Sequence, residues 1–255
     1  VLNSDKKMMS ENNSPDTPEL INALASDYDL QLSDTDIAVL GRFLDVLFDA
    51  NTRMNLTRIV DRKQAWTRHI LDSLSLLPFL EACQAQNMLD LGAGGGFPGM
   101  PIAIVRPDLP VTLLEATGKK ARFLVDAAAD LSLENVTVLS ERAETLGSPE
   151  GGGRFAWDVV TARAVGPLRV LLELALPLVV EGGYLIAIKG ERAGEEIDAA
   201  AKALHMLKAT VEQTHRTPSG TIVVVRRDGP ISKLYPRRPG EPSHSPIGAS
   251  ARERR

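Results

Sequence analysis

The sequence predicts an α/β fold, in which a helical region precedes a doubly wound parallel sheet that closes with an antiparallel hairpin. Short apolar runs alternate with helical patterns along the middle of the chain, which is typical of βαβ units. The last two strand patterns instead flank a tight turn at 218–220, which predicts a hairpin. We therefore divide the chain into parts, namely a disordered head (1–16), a helical region (17–84), a sheet domain (85–228) and a basic, flexible tail (229–255).

The elements of the sheet domain follow in a regular order. The first strand is the short buried run 87–91, and a helix begins near Gly99, with Pro98 in its first turn. The elements predicted after that helix are a strand at 111–115, a helix at 118–130, strands at 136–139 and 157–161, a helix at 167–178, a strand at 184–188 after a turn at 181–183, a helix at 194–207, and hairpin strands at 210–214 and 221–226.

Composition limits the class of protein. A chain of 255 residues that is 44% hydrophobic can bury a substantial core. The single cysteine, Cys83, excludes an internal disulfide and a thiolate cluster for zinc, and it favours a reducing compartment. No apolar run is long enough to cross a bilayer. We expect a soluble cytoplasmic protein that uses no metal.

The glycine-rich segment 90–99, between the first strand and the first helix, is the strongest sign of a ligand site. Glycine permits positive φ and lets the backbone approach a ligand closely. Read from Gly94, the segment fits the dinucleotide fingerprint G-x-G-x-x-G, with Glu115 about 20 residues further on. Read from Asp90, it resembles motif I of the class I S-adenosylmethionine (SAM) methyltransferases. The terminal hairpin favours SAM over a dinucleotide.

Charge is distributed unevenly, although the net charge is only −4. Residues 226–255 contain eight basic side chains and three acidic ones. This stretch is also rich in proline and glycine, so we expect it to be extended and to bind RNA phosphates through arginine. The alternative is a solvated terminus that binds nothing.

The helical region contains an amphipathic pattern followed by dense polar residues. Apolar residues at 40–48 share one side of a helix that Ser33 or Asp34 could cap. In the polar stretch that follows, His69 and Asp72 have two interpretations. They are either a hydrogen-bonded pair at a helix junction or part of a functional site.

Several blocks of sequence occur in one order and together point to a family. The blocks are N-L-T at 55–57, R-H-I-L-D-S at 68–73, the glycine turn with F-P-G-M-P at 97–101, G-K-K-A-R-F-L at 118–124, D-V-V-T-A-R-A at 158–164 and I-K-G at 188–190. Over about residues 43–226 the chain closely resembles the RsmG (GidB) family of 16S rRNA guanine-N7 methyltransferases. The Y-P-R-R-P-G run at 235–240 is also similar to the tail of many members.

The resemblance implies an activity and a mechanism. The activity is SAM-dependent methylation of guanine N7 in the 530 loop of 16S rRNA, within the small ribosomal subunit. Separately, no hydrophobic stripe on the helical region is surplus to the core, so we expect a monomer. Guanine N7 carries a lone pair and no proton, so direct SN2 transfer needs no general base. Positioning of the two reactants would then supply the catalysis. We expect no residue in a proton-transfer role, with Arg163 the nearest candidate for a catalytic one.

The family pattern also implies a set of cofactor-binding residues. They are Asp90, Gly92, Gly94, Gly96, Phe97, Glu115, Ala143, Glu144 and Arg163. Asp90 would organise the amino group of SAM, Glu115 the ribose, and Ala143 with Glu144 the adenine end. Glu144 has an alternative role as an acid favoured by a helix N-terminus. Arg163 has an alternative as a structural ion pair with Asp72 or Glu115.

Candidate contacts to rRNA are basic residues in the same blocks and in the tail. They are Arg68, His69, Lys119, Lys120, Arg122, Lys189, Arg237 and Arg238, for each of which a solvated surface role is the alternative. Two other functions stay open on sequence alone. One is a non-catalytic module of the SAM-binding fold that binds RNA, and the other is an NAD(P)-dependent oxidoreductase.

Overall fold

The computed structural model describes residues 16–249. The strands are β1 Met88–Leu91, β2 Val111–Leu114, β3 Val136–Leu139, β4 Trp157–Arg163, β5 Val179–Lys189, β6 Ala209–Thr217 and β7 Gly220–Arg227. The α-helices are α1 Pro18–Ala25, α2 Asp34–Asn51, α3 Arg62–Ala65, α4 Asp72–Leu74, α5 Leu77–Ala82, α6 Gly99–Val105, α7 Gly118–Asp130, α8 Ala143–Leu146, α9 Leu168–Ala175, α10 Ala193–Met206 and α11 Glu241–His244. The predicted head, apart from Asp16, and the end of the predicted tail at 250–255 lie outside the described residues.

The seven strands form one sheet in the order β3-β2-β1-β4-β5-β7-β6. The pairs from β3 to β5 are parallel, and β7 pairs antiparallel with both β5 and β6. This is the predicted doubly wound sheet with a terminal hairpin, and the prediction of the fold class is confirmed. Because chain order reverses on either side of β1, the carboxyl ends of β2, β1 and β4 border a crevice of the kind in which such sheets bind ligands.

Two apolar cores lie on the two faces of the sheet. The first joins the N-terminal helices, α6 and α7 to residues such as Met88 and Ile186. The second joins α8, α9 and α10 to residues such as Leu89 and Leu185. Neighbouring strand residues alternate between these cores, as the two-residue period of a strand requires. The predicted helical region (17–84) therefore shares one core with the sheet domain.

Among the N-terminal helices, the start of α2 agrees with the sequence pattern. Ser33 caps α2, and its side chain accepts a hydrogen bond from the backbone N–H of Asp36 while Asp36 bonds back, which forms a capping box. Between α3 and α4 the chain forms a π-helical turn, Trp66–Leu71. Such turns are rare and occur often at functional sites. The sequence pattern gave no sign of this one, which contains Arg68 and His69.

Two predictions were wrong. The expected turn at 181–183 is instead an irregularity within β5, where the pairing with β4 passes from Val179 opposite Trp157 to Tyr184 opposite Val159 and Gly182 has a φ of +81°. The tail was expected to be flexible from residue 229, yet 229–249 is packed against the domain. Ile231, Tyr235 and Ile247 join the second core. Within residues 16–249, no helix is long and apolar enough to span a membrane.

Candidate active site

The predicted cofactor residues converge at the carboxyl ends of three adjacent strands. Asp90 lies at the end of β1, Glu115 directly follows β2, and Arg163 ends β4. β1 lies between β2 and β4 in the sheet. Parallel pairing therefore brings together side chains that are far apart in the chain.

Asp90 is fully buried beneath the glycine turn. Its Oδ2 accepts a hydrogen bond from the backbone N–H of Gly99 at 2.8 Å, whereas Oδ1 has no hydrogen-bond partner. Burial raises the pKa of this carboxyl to about 7, against smaller opposing effects of the Gly99 hydrogen bond and of Arg163. A buried carboxylate oxygen without a partner is costly, and a cationic ligand group at this position would remove that cost.

The glycines of the turn have different roles. Gly92 and Gly94 have φ of +73° and +56°, and Gly92 borders a cavity. Gly96 has φ of +96°, but it is buried and its N–H donates to the Ala93 carbonyl at 2.7 Å. A Cβ at Gly96 would lie 2.7 Å from Met100 Cγ. This differs from its predicted role, because Gly96 serves core packing and its N–H is already used.

Glu115 joins the loops that follow β1 and β2. Its Oε2 accepts from the Gly94 N–H at 3.0 Å and its Oε1 from the Thr117 N–H at 2.7 Å. The carboxylate also borders the same cavity as Gly92. It is therefore well placed to accept hydrogen bonds from ligand hydroxyls there.

The cavity at these strand ends has a volume of about 170 Å³. Its lining comprises Leu91, Gly92, Leu114, Glu115, Ala116, Glu141, Arg142, Ala143, Glu144, Val165, Leu174 and Ser243. Small-molecule sites usually measure roughly 300–1,000 Å³. The cavity therefore suits one end of a nucleoside ligand, with the rest along the glycine turn. Glu144 is buried at its edge, and its Oε1 accepts from the Gly240 N–H at 2.8 Å.

A larger cavity, of about 700 Å³, lies elsewhere, between α2 and α7. Its lining includes Lys119 and Arg122 but none of the residues at the ends of β1, β2 and β4. The chemistry suggested by the sequence needs buried acids and turn backbone, so the smaller cavity is the better candidate for the cofactor.

Arg163, Phe97 and His69 form a packed group beside the turn. The Arg163 guanidinium lies 4.9 Å from the centre of the Phe97 ring, and His69 stacks on the same ring at 4.5 Å. Arg163 Nη1 donates to the Arg68 carbonyl at 2.7 Å, and burial lowers the pKa of this arginine. Phe97 is thus enclosed on two sides, and the cation is desolvated.

His69 is buried, in contrast to its prediction as an RNA contact. Its Nε2 lies 2.7 Å from Thr57 Oγ1, and its Nδ1 lies 3.3 Å from Arg163 Nη2. Burial, followed by the nearby Arg163 charge, lowers its pKa to about 4. The ring is therefore neutral at pH 7 and cannot offer a phosphate a positive charge.

Asp72 ties this group to the hairpin turn. Its carboxylate accepts a hydrogen bond from Ser219 Oγ and lies 3.8 Å from Arg163 Nη1. Burial raises the pKa of Asp72. The partner of Asp72 is thus Arg163 rather than His69, which agrees with the structural alternative for Arg163. Ser219 was not identified from the sequence, since a turn serine carries no distinctive signal.

The other proposed RNA contacts divide by exposure. Arg68, Lys119, Arg122 and Arg238 are exposed and Lys120 is half-buried. Lys189 is different, because its ammonium forms an ion pair with Glu196 at 2.7 Å and its side chain is 8% exposed. Arg237 is held by Glu173 at 2.6 Å. Lys189 and Arg237 therefore each already have an acidic partner in the structure, which is fully buried only for Arg237.

Among the residues that the structure describes, no group of three or more histidine, cysteine or acidic side chains could hold a metal ion. The groups that the site offers are buried carboxylates, a guanidinium and backbone amides. This set can bind and orient a nucleoside-containing cation.

Comparisons with known proteins agree with this geometry. A relative from Sorangium cellulosum, a ribosomal RNA small subunit methyltransferase G, is 49% identical over 203 residues, which cover 79% of this chain and 84% of the relative. A relative of the same name from Chloroflexus aggregans is 42% identical, with 91% and 98% covered. An O-methyltransferase from Bacillus cereus, solved in complex with SAH, shares the fold with a TM-score of 0.53 at 17% identity, and covers 82% of this chain and 100% of its own.

The family model GidB, described as rRNA small subunit methyltransferase G, matches residues 36–223. This range includes the glycine turn, all three strand-end residues and the packed group around Phe97. The chain belongs to the rRNA small subunit methyltransferase G family, on the class I SAM methyltransferase fold.

Proposed function

We propose that this protein is a SAM-dependent enzyme that methylates N7 of a guanine in the 530 loop of 16S rRNA. The observation that carries the proposal is the convergence of Asp90, Glu115 and Arg163 at the glycine turn, in a chain of this family. The enzyme acts as a monomer in the cytoplasm, where the small ribosomal subunit is its partner.

The site fits SAM, which supplies a methyl group on a positively charged sulfur. Asp90 offers its unpartnered Oδ1 to the α-ammonium group of SAM. Glu115 accepts hydrogen bonds from the ribose hydroxyls, and Glu144 with Ala143 lies at the adenine end. The methionine part then runs along Gly92 and Gly94, whose lack of side chains permits close approach.

The acceptor would approach from the side of Phe97 and Arg163. The Arg163 guanidinium has five N–H donors, of which one is used by the Arg68 carbonyl and one on Nη2 faces His69 Nδ1 at 3.3 Å. Another can donate to guanine O6, the acceptor next to N7, which would orient N7 toward the methyl group. No base is needed, since N7 has no proton to lose. Because its low pKa keeps His69 neutral at pH 7, this residue would take a positioning role rather than bind a phosphate.

RNA phosphates would bind the exposed cations beside the site. Lys119 and Arg122 are exposed on α7, which begins shortly after Glu115, and Arg68 is exposed next to the Ser219 carbonyl. Phosphate contacts of this kind position the RNA without reading its sequence. Guanine selection would then depend on Arg163.

The test is transfer of labelled methyl from SAM to small ribosomal subunits from a strain that lacks this enzyme. Cleavage chemistry specific for N7-methylguanine maps the label. The proposal predicts one labelled site, in the 530 loop. Label elsewhere would contradict the proposed acceptor, and SAM binding without transfer would favour the non-catalytic alternative.

A further inference from the structure

We propose that the C-terminal segment 236–244 forms one wall of the cofactor pocket, and that the ion pair between Arg237 and Glu173 fixes the position of this segment. The segment would hold Glu144 in the orientation that recognises adenine. This inference rests on the proposed placement of SAM in the cavity at the strand ends. It assigns a cofactor-positioning role to residues that the sequence suggested for RNA.

The ion pair between Arg237 and Glu173 is made on a buried carboxylate and includes several hydrogen bonds. Glu173, on α9, is 0% exposed. Its Oε2 accepts from Arg237 Nη2 at 2.6 Å, and its Oε1 accepts from Nε at 2.8 Å and from the Arg237 backbone N–H at 3.0 Å. Bidentate geometry of this kind fixes direction as well as distance. Removal of one partner leaves a buried charge, which is strongly unfavourable.

This ion pair fixes the segment next to the cavity. Leu174, which follows Glu173 in α9, lines the cavity from one side. Ser243, in α11, lines it from the segment itself. The wall is thus built by α9 and α11 together, and the contact between Arg237 and Glu173 connects the two.

Glu144 is the residue on which the segment acts. Gly240 takes φ of +86°, and its N–H donates to Glu144 Oε1 at 2.8 Å. With Oε1 engaged, Oε2 is the oxygen that can accept a hydrogen bond from the exocyclic amino group of adenine. A site built to bind an N–H group rejects analogues that lack it, because a buried acceptor is then left unpaired.

The chain on either side of the segment is anchored separately. Arg154 donates to the carbonyls of Ile231 and Tyr235 at 3.3 and 2.7 Å. Beyond the wall, Ile247 is buried in the second core. Loss of the Arg237 contact would therefore loosen the wall while both anchors keep the chain attached.

The test compares ligand binding by calorimetry in the full chain. Arg237→Ala should weaken binding of SAM about tenfold or more. Lys233→Ala removes the same charge from an exposed position just before the segment and should change the affinity by less than twofold. Gly240→Ala, which strains a positive φ without loss of charge, should act in the same direction as Arg237→Ala.

A second readout separates positioning from general support of the fold. The wild-type protein should prefer S-adenosylhomocysteine over S-inosylhomocysteine, in which a carbonyl replaces the amino group. Arg237→Ala should reduce that preference, and circular dichroism should show a folded protein. Unchanged SAM affinity in both variants, or weaker binding with the preference intact, would overturn the inference. Absence of SAM binding by the wild-type protein would instead overturn the proposed function.

Discussion

The glycine turn at 90–99 and the C-terminal region 229–249, which includes the segment 236–244, border the same cavity, but they are stabilised in different ways. The turn is held by contacts close in sequence, such as the hydrogen bond from the Gly99 N–H to Asp90 Oδ2 and that from the Gly96 N–H to the Ala93 carbonyl. The C-terminal region is held by side chains that are distant in sequence, among them Glu173 and Arg154. Local constraints leave a motif in the sequence, whereas long-range constraints leave single residues that look ordinary.

The largest effect should come from the packing of the turn. Gly96→Ala should lower the free energy of unfolding by about 3 kcal/mol, since it combines an unfavourable positive φ with overpacking against Met100. The corresponding loss in Tm is about 10 °C. Gly118→Ala is the matched control, because no atom lies within 4 Å of the added Cβ. Thermal unfolding of the two variants tests this, and equal Tm values would contradict it.

The turn, and with it most of the sheet, could be predicted because its requirements are local. The predicted helix at 118–130 matches α7, and the strand at 136–139 matches β3. The tail could not be predicted, because arginine and proline in a run indicate disorder unless a buried acid is known to face them. Glu173 lies within an apolar helix that gives no sign of its partner 64 residues away.

The next effect concerns Asp90 and the charge of SAM. Asp90→Asn should weaken SAM binding about 30-fold at pH 8, since a hydrogen bond to a charged group contributes about 1.5–3 kcal/mol. Because burial raises the pKa of Asp90 to about 7, ionisation favours the ammonium ligand as pH rises. Wild-type affinity should therefore gain about tenfold more between pH 6 and pH 8 than the affinity of the variant. Parallel pH profiles would exclude this role for Asp90.

A third prediction asks which of two basic regions binds RNA. The double variant Lys119→Ala with Arg122→Ala should lose about tenfold in affinity for a 16S rRNA fragment. The slope of log affinity against log salt should become shallower by about 1.5 for two lost phosphate contacts. Arg237→Ala, whose guanidinium is held by Glu173, should leave the slope unchanged. A shallower slope for Arg237→Ala would instead indicate that Arg237 contacts RNA phosphates.

The smallest effect near neutral pH is a dependence of stability on pH. The pKa of His69 is about 4 in the folded protein and 6.5 in the reference state, so the unfolded chain takes up the proton first as pH falls. Stability from this group is complete above pH 6.5 and is lost toward pH 4, with about 1 kcal/mol lost by pH 6. His69→Gln should remove this dependence in urea unfolding. His205→Gln, which removes an exposed imidazole, should retain it.

The acidic residues of the candidate site could be predicted from the sequence, whereas the contacts between its side chains could be predicted only in part. Asp90, Glu115 and Arg163 end strands, and adjacent strands bring them together. The enclosure of His69 depends on a π-helical turn, and the link from Asp72 to Ser219 crosses 147 residues. Arg154 follows the glycine-rich stretch 147–153, and nothing in the sequence indicates that its guanidinium binds carbonyls at 231–235. Such contacts follow from tertiary packing alone.

The most direct test of the account is hydrogen exchange of the full chain with and without SAM. If both regions form one cofactor pocket, SAM should slow exchange at 92–97 and also at 240–244, although the two stretches lie far apart in sequence. Protection at the glycine turn alone, with exchange at 240–244 unchanged, would show that the C-terminal segment has no part in holding the cofactor.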